Sequence, residues 1–142
     1  YRRRGPYSFC PTTASWGMDN RTVALRVIEG SDPATRVEKR DAGADCNPYL
    51  LMATDIAAGL DGIEEKQEPT KITTGDAYSD SHDEALPTTL ADAIRLARES
   101  DWLASVPGAA QLETWLQQAE RELKFFSDQV TPFETDRYLR RF

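Results

Sequence analysis

Two short runs with strand-like spacing most constrain the fold of this chain. Residues 20–28, NRTVALRVI, are rich in β-branched side chains, and Val23, Leu25 and Val27 fall on one face at a period of two. The polar stretch EGSDPAT follows, and residues 36–40, RVEKR, show the same alternation. Together they predict two strands that form an antiparallel hairpin with a longish loop.

The rest of the chain has mainly helical spacing. Apolar side chains recur every three or four residues in three segments, which is typical of amphipathic helices. These helices are predicted from the cap residue Asn47 to about Lys66, after Pro87 with Thr88 or Thr89 as the cap, and from about Leu112 to Phe126.

A short last helix and two loops complete the prediction. Thr131, Pro132 and Glu134 have the pattern of a capping box at a helix start. Residues 1–18 and 67–86 have no periodic apolar face, so we expect exposed loops there. The predicted fold class is therefore α+β, with the loop and strands in residues 1–40 and the helical part in residues 41–142.

The charges are unevenly distributed. The 142 residues carry 17 Lys and Arg against 24 Asp and Glu, a formal net charge of −7, yet residues 1–40 hold eight basic and four acidic side chains. The N-terminal end therefore has the capacity to bind anions. The acidic remainder argues against a nucleic-acid-binding protein.

Several other classes of protein are disfavoured by the sequence. It has no run of eighteen apolar residues, which excludes a membrane span, and no signal segment opens it, so we expect a cytoplasmic protein. Cys10 and Cys46 are too few for a disulfide scaffold, and a single histidine, His82, excludes a His-rich metal cluster. Because the chain begins at Tyr1 rather than Met, we expect it to be a piece of something longer.

The second predicted strand carries alternating charges. Arg36, Glu38 and Arg40 are spaced by two and share one face. A carboxylate between two guanidinium groups stays ionised and suits a hard divalent cation, while the arginines suit phosphates or carboxylates. A solvated strand face would have the same spacing, so spacing alone leaves both interpretations open.

Two further arginines belong to the first predicted strand. Arg21 and Arg26 are five residues apart, so a regular strand would place them on opposite faces. If both serve one site, a bulge or a strand end must redirect one of them.

The order of five segments is more specific than any one of them. YRR, WGMDNRTVALRV, RVEKR, NPYL and AAGLDGI together resemble the C-terminal part of the catalytic domain of the glutamine synthetase superfamily. The motifs are strong from Tyr1 to about Lys66 and weaker to the last helix. Members of this family use ATP to convert the γ-carboxylate of glutamate into an acyl phosphate, which ammonia or an amine then attacks. Full members have several hundred residues, so residues 1–142 would be a C-terminal fragment.

The resemblance implies which residues bind the substrate glutamate. Arg3 and Arg40 would hold it, with Arg40 gripping its carboxylate in a forked geometry that lysine cannot supply. Arg21 would contact both the glutamate and the transferring phosphate, and it is the candidate catalytic residue.

The resemblance also implies an ATP site and a metal site. Arg21, Arg26 and Arg36 would face the nucleotide phosphates, and Glu38 would ligate Mg²⁺ or Mn²⁺. One glutamate cannot hold two or three divalent ions, and the family's other carboxylate ligands lie upstream of this segment. We therefore expect that the fragment alone does not turn over substrate.

The sequence departs from the family pattern at three places. Ammonia-using members carry a flap glutamate six residues after the arginine that matches Arg3, and here that position is Phe9, which cannot accept a proton but can contact an organic amine. Family members usually carry a nucleotide-contacting lysine in the loop before the second strand, and the EGSDPAT loop has no lysine. Tyr78 lies near the position where some bacterial members are adenylylated, but the usual following Leu-Pro-Pro is absent, so we interpret it as an exposed loop tyrosine.

Phe9 favours the branch that ligates amines to L-glutamate. One alternative is a glutamine synthetase that uses ammonia, with a flap glutamate supplied from elsewhere, and another is a catalytically silent structural fragment. Family members assemble as rings, so the resemblance implies a ring-type homo-oligomer for the full-length protein.

Overall fold

The computed structural model describes residues 1, 3–5, 7–79 and 82–141, in two compact units. The first unit spans Tyr1–Thr89, and the second begins at Leu90. Among the described residues, no helix has both the length and the apolar character needed to cross a bilayer. The first unit carries a small sheet and a helix, and the regular elements among the described residues of the second unit are helices, so the predicted α+β class is confirmed.

The sheet has three strands in the order β1 (Trp16–Met18), β2 (Leu25–Ile28) and β3 (Arg36–Lys39). The predicted hairpin is confirmed, because β2 and β3 are antiparallel, and a single 3₁₀ turn over Asp32–Ala34 lies in the connection. β1 pairs in parallel with β2 and was not predicted, since residues 1–18 were expected to form a loop.

The first predicted strand is shorter than expected because Asn20 forms a turn. Its side-chain Oδ1 accepts hydrogen bonds from the Thr22 backbone N at 2.9 Å and from Thr22 Oγ1 at 2.7 Å, which competes with strand pairing. Val23 lies in this turn region and is fully buried, whereas Leu25 begins β2 and is exposed. The prediction that both belong to one strand face is therefore wrong for Val23.

The described residues 67–79 and 82–86 form no helix or regular strand, but hydrogen bonds connect them to residues in and before β1. The Thr73 backbone N donates to Trp16 O at 3.0 Å, and Trp16 Nε1 donates to Thr70 O at 2.7 Å. Ala85 makes an isolated antiparallel bridge with Thr13, and Ala77 is buried. The prediction of an exposed loop is therefore wrong at Thr73 and Ala77, which are both buried.

The first helix, α1 (Pro48–Glu64), begins and ends as predicted. Asn47 Oδ1 accepts from the backbone N of Tyr49 at 3.0 Å and of Leu50 at 3.4 Å, which satisfies two amides of the first turn. Lys66 adopts a positive φ of 52°, and the Gln67 backbone N donates to Gly62 O at 2.9 Å in a Schellman motif.

The apolar stripe of α1 faces solvent rather than a core. None of the seventeen residues of the helix is buried. The large apolar side chains of the stripe are 56–82% exposed, namely Tyr49, Met52, Ile56, Leu60 and Ile63. The spacing therefore predicted a helix correctly, but within the described residues no element covers its apolar face.

The second unit consists of α2 (Leu90–Arg98), α3 (Asp101–Ser105), α4 (Ala109–Ser127) and α5 (Pro132–Tyr138). Its core is formed by Ile94 of α2 with Leu112 and Leu116 of α4. The short α3 was not predicted; Ser100 caps it by accepting from the Leu103 backbone N at 3.1 Å. The predicted capping box of Thr131 and Glu134 is confirmed at the start of α5.

Candidate active site

A carboxylate lies between two guanidinium groups on one face of the sheet. The register places Arg26 of β2 opposite Glu38 of β3, and Arg26 Nη1 is 3.1 Å from Glu38 Oε2. Arg40 Nη1 approaches the same oxygen at 3.4 Å. Arg36 instead is exposed and donates to Ala34 O at 3.0 Å, so Arg26, and not Arg36, is the second neighbour of the carboxylate.

These contacts set the protonation states of the cluster. The hydrogen bond from Arg26 holds the pKa of Glu38 below its ordinary value, and the charge of Arg40 acts in the same direction. Arg26 also forms an ion pair with Asp19, whose pKa is lowered by that hydrogen bond. The pKa of Arg26 is raised in turn, so all three groups stay ionised across the neutral range.

Glu38 fits a role as one ligand of a divalent cation. Both guanidinium contacts fall on Oε2, so Oε1 accepts no hydrogen bond from the described residues, and the side chain is 41% exposed. An ionised carboxylate with a free oxygen is a suitable ligand for Mg²⁺ or Mn²⁺. In the part of the chain that the structure describes, no three His, Cys, Asp or Glu side chains form a complete metal cluster. Further ligands would have to come from other residues.

An open cavity of about 510 Å³ lies beside this cluster. Its wall combines residues from the N-terminal part of the chain, up to and including β2, with part of the irregular segment that follows α1. The lining residues are Phe9, Met18, Asp19, Asn20, Arg21, Thr22, Arg26, Thr74 and Gly75. Arg21 and Arg26 thus line one cavity, because β2 begins only after Arg21 and the chain turns at Asn20. A strand end therefore redirects Arg21, which is one of the two arrangements by which Arg21 and Arg26 could serve one site.

Arg40 connects the parts of the site. Its Nη2 donates to Phe9 O at 2.9 Å and to Arg21 O at 3.0 Å, and its Nη1 approaches Glu38. The side chain is only 16% exposed, and its buried Nε has no hydrogen-bond partner among the described residues. Spacing along the sequence did not indicate this bridging arrangement, because it depends on contacts between residues far apart in the chain.

Two of the predicted site residues, Arg3 and Arg36, lie apart from the charged cluster around Glu38. Arg3 is exposed, and its Nη2 donates to Ala42 O at 2.8 Å. Arg36 lies on the exposed part of β3. The structure therefore brings Arg21, Arg26, Glu38 and Arg40 together, and within the described residues it does not bring Arg3 or Arg36 into contact with them.

Phe9 and Tyr78, two aromatic residues at which the sequence departs from the family pattern, lie on neighbouring segments. Phe9 has a positive φ of 55° and is 60% exposed at the cavity. Tyr78 is half-buried, and its hydroxyl donates to Cys10 O at 3.0 Å, so the interpretation of Tyr78 as an exposed loop residue is wrong. Asp19 was not predicted as a site residue. It lies in the WGMDN segment, but its ion pair with Arg26 could not be inferred from that segment.

Comparison with known proteins identifies the family to which the chain is similar. Residues 1–138 match the family model described as "Glutamine synthetase, catalytic domain". The chain is 40% identical over 141 residues to gamma-glutamylethanolamide synthetase GlnA4 of Streptomyces coelicolor, covering 99% of this chain and 30% of that protein. It is 39% identical over 143 residues to type-1 glutamine synthetase 2 of Dictyostelium discoideum, covering 98% of this chain and 27% of the relative.

A solved structure shares the fold. The GmaS/ADP complex aligns with a TM-score of 0.77 at 33% identity, covering 92% of this chain and 30% of that one. This chain therefore spans about a third or less of the length of these similar proteins. The match of nearly all its residues to the family model, together with these identities, shows that the chain belongs to the glutamine synthetase family and corresponds to part of its catalytic domain.

Proposed function

We propose that the complete protein ligates an organic amine to the γ-carboxylate of L-glutamate, with ATP as co-substrate and γ-glutamyl phosphate as the intermediate. The observation that supports this most is the convergence of Arg21, Arg26, Glu38 and Arg40 beside a cavity that Phe9 also lines. Fixed positive charges next to an ionised carboxylate suit phosphoryl transfer, in which negative charge develops on oxygen atoms.

Arg21 is the proposed catalytic residue. Its side chain is exposed at the cavity and makes no hydrogen bond with the described residues, so the guanidinium is available to an anion. In the reaction, a γ-carboxylate oxygen of glutamate attacks the terminal phosphorus of ATP and ADP leaves. Arg21 would stabilise the charge on the transferred phosphate and also contact the glutamate.

The other charged residues have complementary proposed roles. Arg26 and Arg36 would bind the nucleotide phosphates, and Arg3 and Arg40 would bind the glutamate carboxylate. Glu38 would hold Mg²⁺ or Mn²⁺, and that ion, when bound, would neutralise charge on the phosphates. The free Oε1 of Glu38 and the exposed guanidinium of Arg36 are compatible with these roles.

Phe9 supports an organic amine as the acceptor. Its apolar ring and the side chain of Met18 line the cavity, and neither group can accept a proton or bind a small cation as a carboxylate does. An amine with an apolar substituent would contact both. The amine nitrogen then attacks the acyl carbon of γ-glutamyl phosphate, phosphate leaves, and the nitrogen loses a proton. Similarity to an ethanolamide-forming enzyme is consistent with this choice.

A second candidate function is glutamine synthesis from ammonia. It is favoured by similarity over nearly the whole chain to a relative named as a glutamine synthetase, and it would need a flap glutamate from elsewhere. In either case we propose that the complete protein is a cytoplasmic, ring-type homo-oligomer. We also propose that residues 1–142 alone are catalytically silent, because Glu38 by itself cannot complete a metal site.

The test is an amine panel with the complete protein, measured as ATP-dependent amide formation in the presence of Mg²⁺ or Mn²⁺. Ethanolamine, isopropylamine and ammonium would be compared, and amide formation from the organic amines with little from ammonium is expected. Efficient use of ammonium would refute the argument from Phe9. Arg21→Ala should abolish turnover, whereas Arg121→Ala, an exposed arginine on α4, should leave it unchanged.

A further inference from the structure

The loop that carries Phe9 has unusual backbone geometry. We define the Phe9 loop as residues 7–10. Tyr7 and Phe9 both adopt positive φ values, 63° and 55°, which side chains other than glycine, asparagine and aspartate rarely do. Such conformations persist only where surrounding contacts hold them. The contacts made by the Phe9 loop therefore determine where the Phe9 ring lies.

Two side chains from distant parts of the chain hold the loop at adjacent carbonyl groups. Arg40 donates to Phe9 O at 2.9 Å, and Tyr78 donates from its hydroxyl to Cys10 O at 3.0 Å. The Tyr78 ring also lies against that of Tyr7, with the centroids 6.3 Å apart and the planes tilted by 51°. Tyr78 therefore contacts the loop on both sides of Phe9.

The backbone near Tyr78 is itself fixed to the cavity wall. The preceding residue, Ala77, is buried, and its backbone N donates to Thr22 Oγ1 at 3.0 Å. The Tyr78 backbone N donates to Asp76 Oδ1 at 3.0 Å. Because Thr22 lies beside Arg21 in the cavity lining, Tyr78 joins the Phe9 loop to the turn that carries Arg21.

We propose that Tyr78 is a positioning residue that holds the Phe9 loop at the cavity, so that amine rather than water reaches the acyl phosphate. This inference rests on the proposed ligase function. In the competing reaction, a water oxygen attacks the acyl carbon of γ-glutamyl phosphate, the bond from that carbon to the phosphate oxygen breaks, and glutamate and phosphate are released. ATP is then consumed without amide formation.

The test uses Tyr78→Phe in the complete protein, because this change removes the hydroxyl donor and keeps the ring against Tyr7. Loss of a typical intramolecular hydrogen bond raises the equilibrium constant for local opening of the backbone by about two- to tenfold. We expect hydrogen–deuterium exchange of the Phe9 loop amides to rise by about that factor. The ADP released per amide formed should also rise, with the KM for glutamate unchanged. Tyr138→Phe, on α5, is the matched control and should alter neither quantity.

The two measurements separate failure of this inference from failure of the proposed function. Unchanged exchange in Tyr78→Phe would overturn the positioning role, whatever reaction the protein catalyses. Faster exchange with an unaltered ratio of ADP to amide would also overturn the proposal, since the loop would then not protect the intermediate. If the unsubstituted protein forms no amide with any amine, the ligase function fails, and faster exchange would still support the structural role of Tyr78.

Discussion

Arg26 lies directly opposite Glu38 in the β2–β3 register, and its Nη1 is 3.1 Å from Glu38 Oε2. The same guanidinium pairs with Asp19, the residue that follows β1. One arginine therefore joins the two carboxylates at this end of the sheet. The arrangement keeps both carboxylates charged at neutral pH, and this leads to a direct test.

Glu38 should titrate at a pKa below that of an ordinary glutamate, which is about 4.3. Its pKa is depressed in the folded state, so its contribution to stability is present above the unfolded pKa and is lost as the pH falls through the folded pKa. Carbon-detected NMR titration of the carboxyl group measures this midpoint. Arg26→Met should move the midpoint upward. An unchanged midpoint would show that Arg26 does not control the charge of Glu38.

Replacement of Phe9 by glutamate should shift acceptor preference toward ammonium. A carboxylate at this position can bind a small cation and accept its proton, while the apolar contact with an amine substituent is lost. In the complete protein, we expect the ratio of kcat/KM for isopropylamine to that for ammonium to fall by about tenfold or more. Phe9→Leu is the control that keeps an apolar side chain, and it should retain a preference for organic amines.

Truncation of Leu116 to alanine should destabilise the second unit. Leu116 is buried against Ile94 and Leu112, and loss of such a side chain costs about 2–5 kcal/mol through lost burial and the cavity left behind. Urea unfolding of the chain followed by tryptophan fluorescence measures the loss. Leu139→Ala, at an exposed position, should change the free energy of unfolding by less than about 0.5 kcal/mol. Equal effects at the two positions would contradict the assigned core.

The exposed apolar stripe of α1 should make the 142-residue chain self-associate. Contiguous apolar surface of this kind favours association in water. Ile56→Lys places a charge within the stripe and should reduce the sedimentation-average mass at a given concentration. Ala58→Lys adds the same charge to an exposed position two residues along, away from the stripe, and should have a smaller effect. If both variants behave alike, net charge rather than the stripe controls association.

The elements that the sequence predicted are those determined by local chemistry. The cap at Asn47, the capping box at Thr131 and the alternation in RVEKR each depend on residues within a few positions of one another. β1 was missed because its three residues pair with strand β2 and with Thr73, and neither partner can be inferred from so short a segment. Periodicity in α1 showed which side chains share a face, but not whether anything covers that face.

The distinction between local chemistry and contacts among distant segments also explains which parts of the candidate site could be predicted. Spacing within one strand placed Arg36, Glu38 and Arg40 on a common face, but the register between strands determined that Arg26 contacts the carboxylate. The roles assigned to individual arginines came from resemblance to the family rather than from spacing. Tyr78 was misjudged because its polar neighbours in sequence gave no sign that its hydroxyl reaches Cys10.

The hydrogen bond from Asn20 Nδ2 to Gly75 O, at 2.8 Å, joins two distant stretches of the chain that both line the cavity. Thr74 and Gly75 come from an irregular stretch beyond α1, whereas the arginines come from the sheet region. If only the sheet region were transplanted into another member of the family, the rest of the cavity lining would come from that other protein. Engineering acceptor selectivity by segment exchange therefore requires both stretches to be moved together.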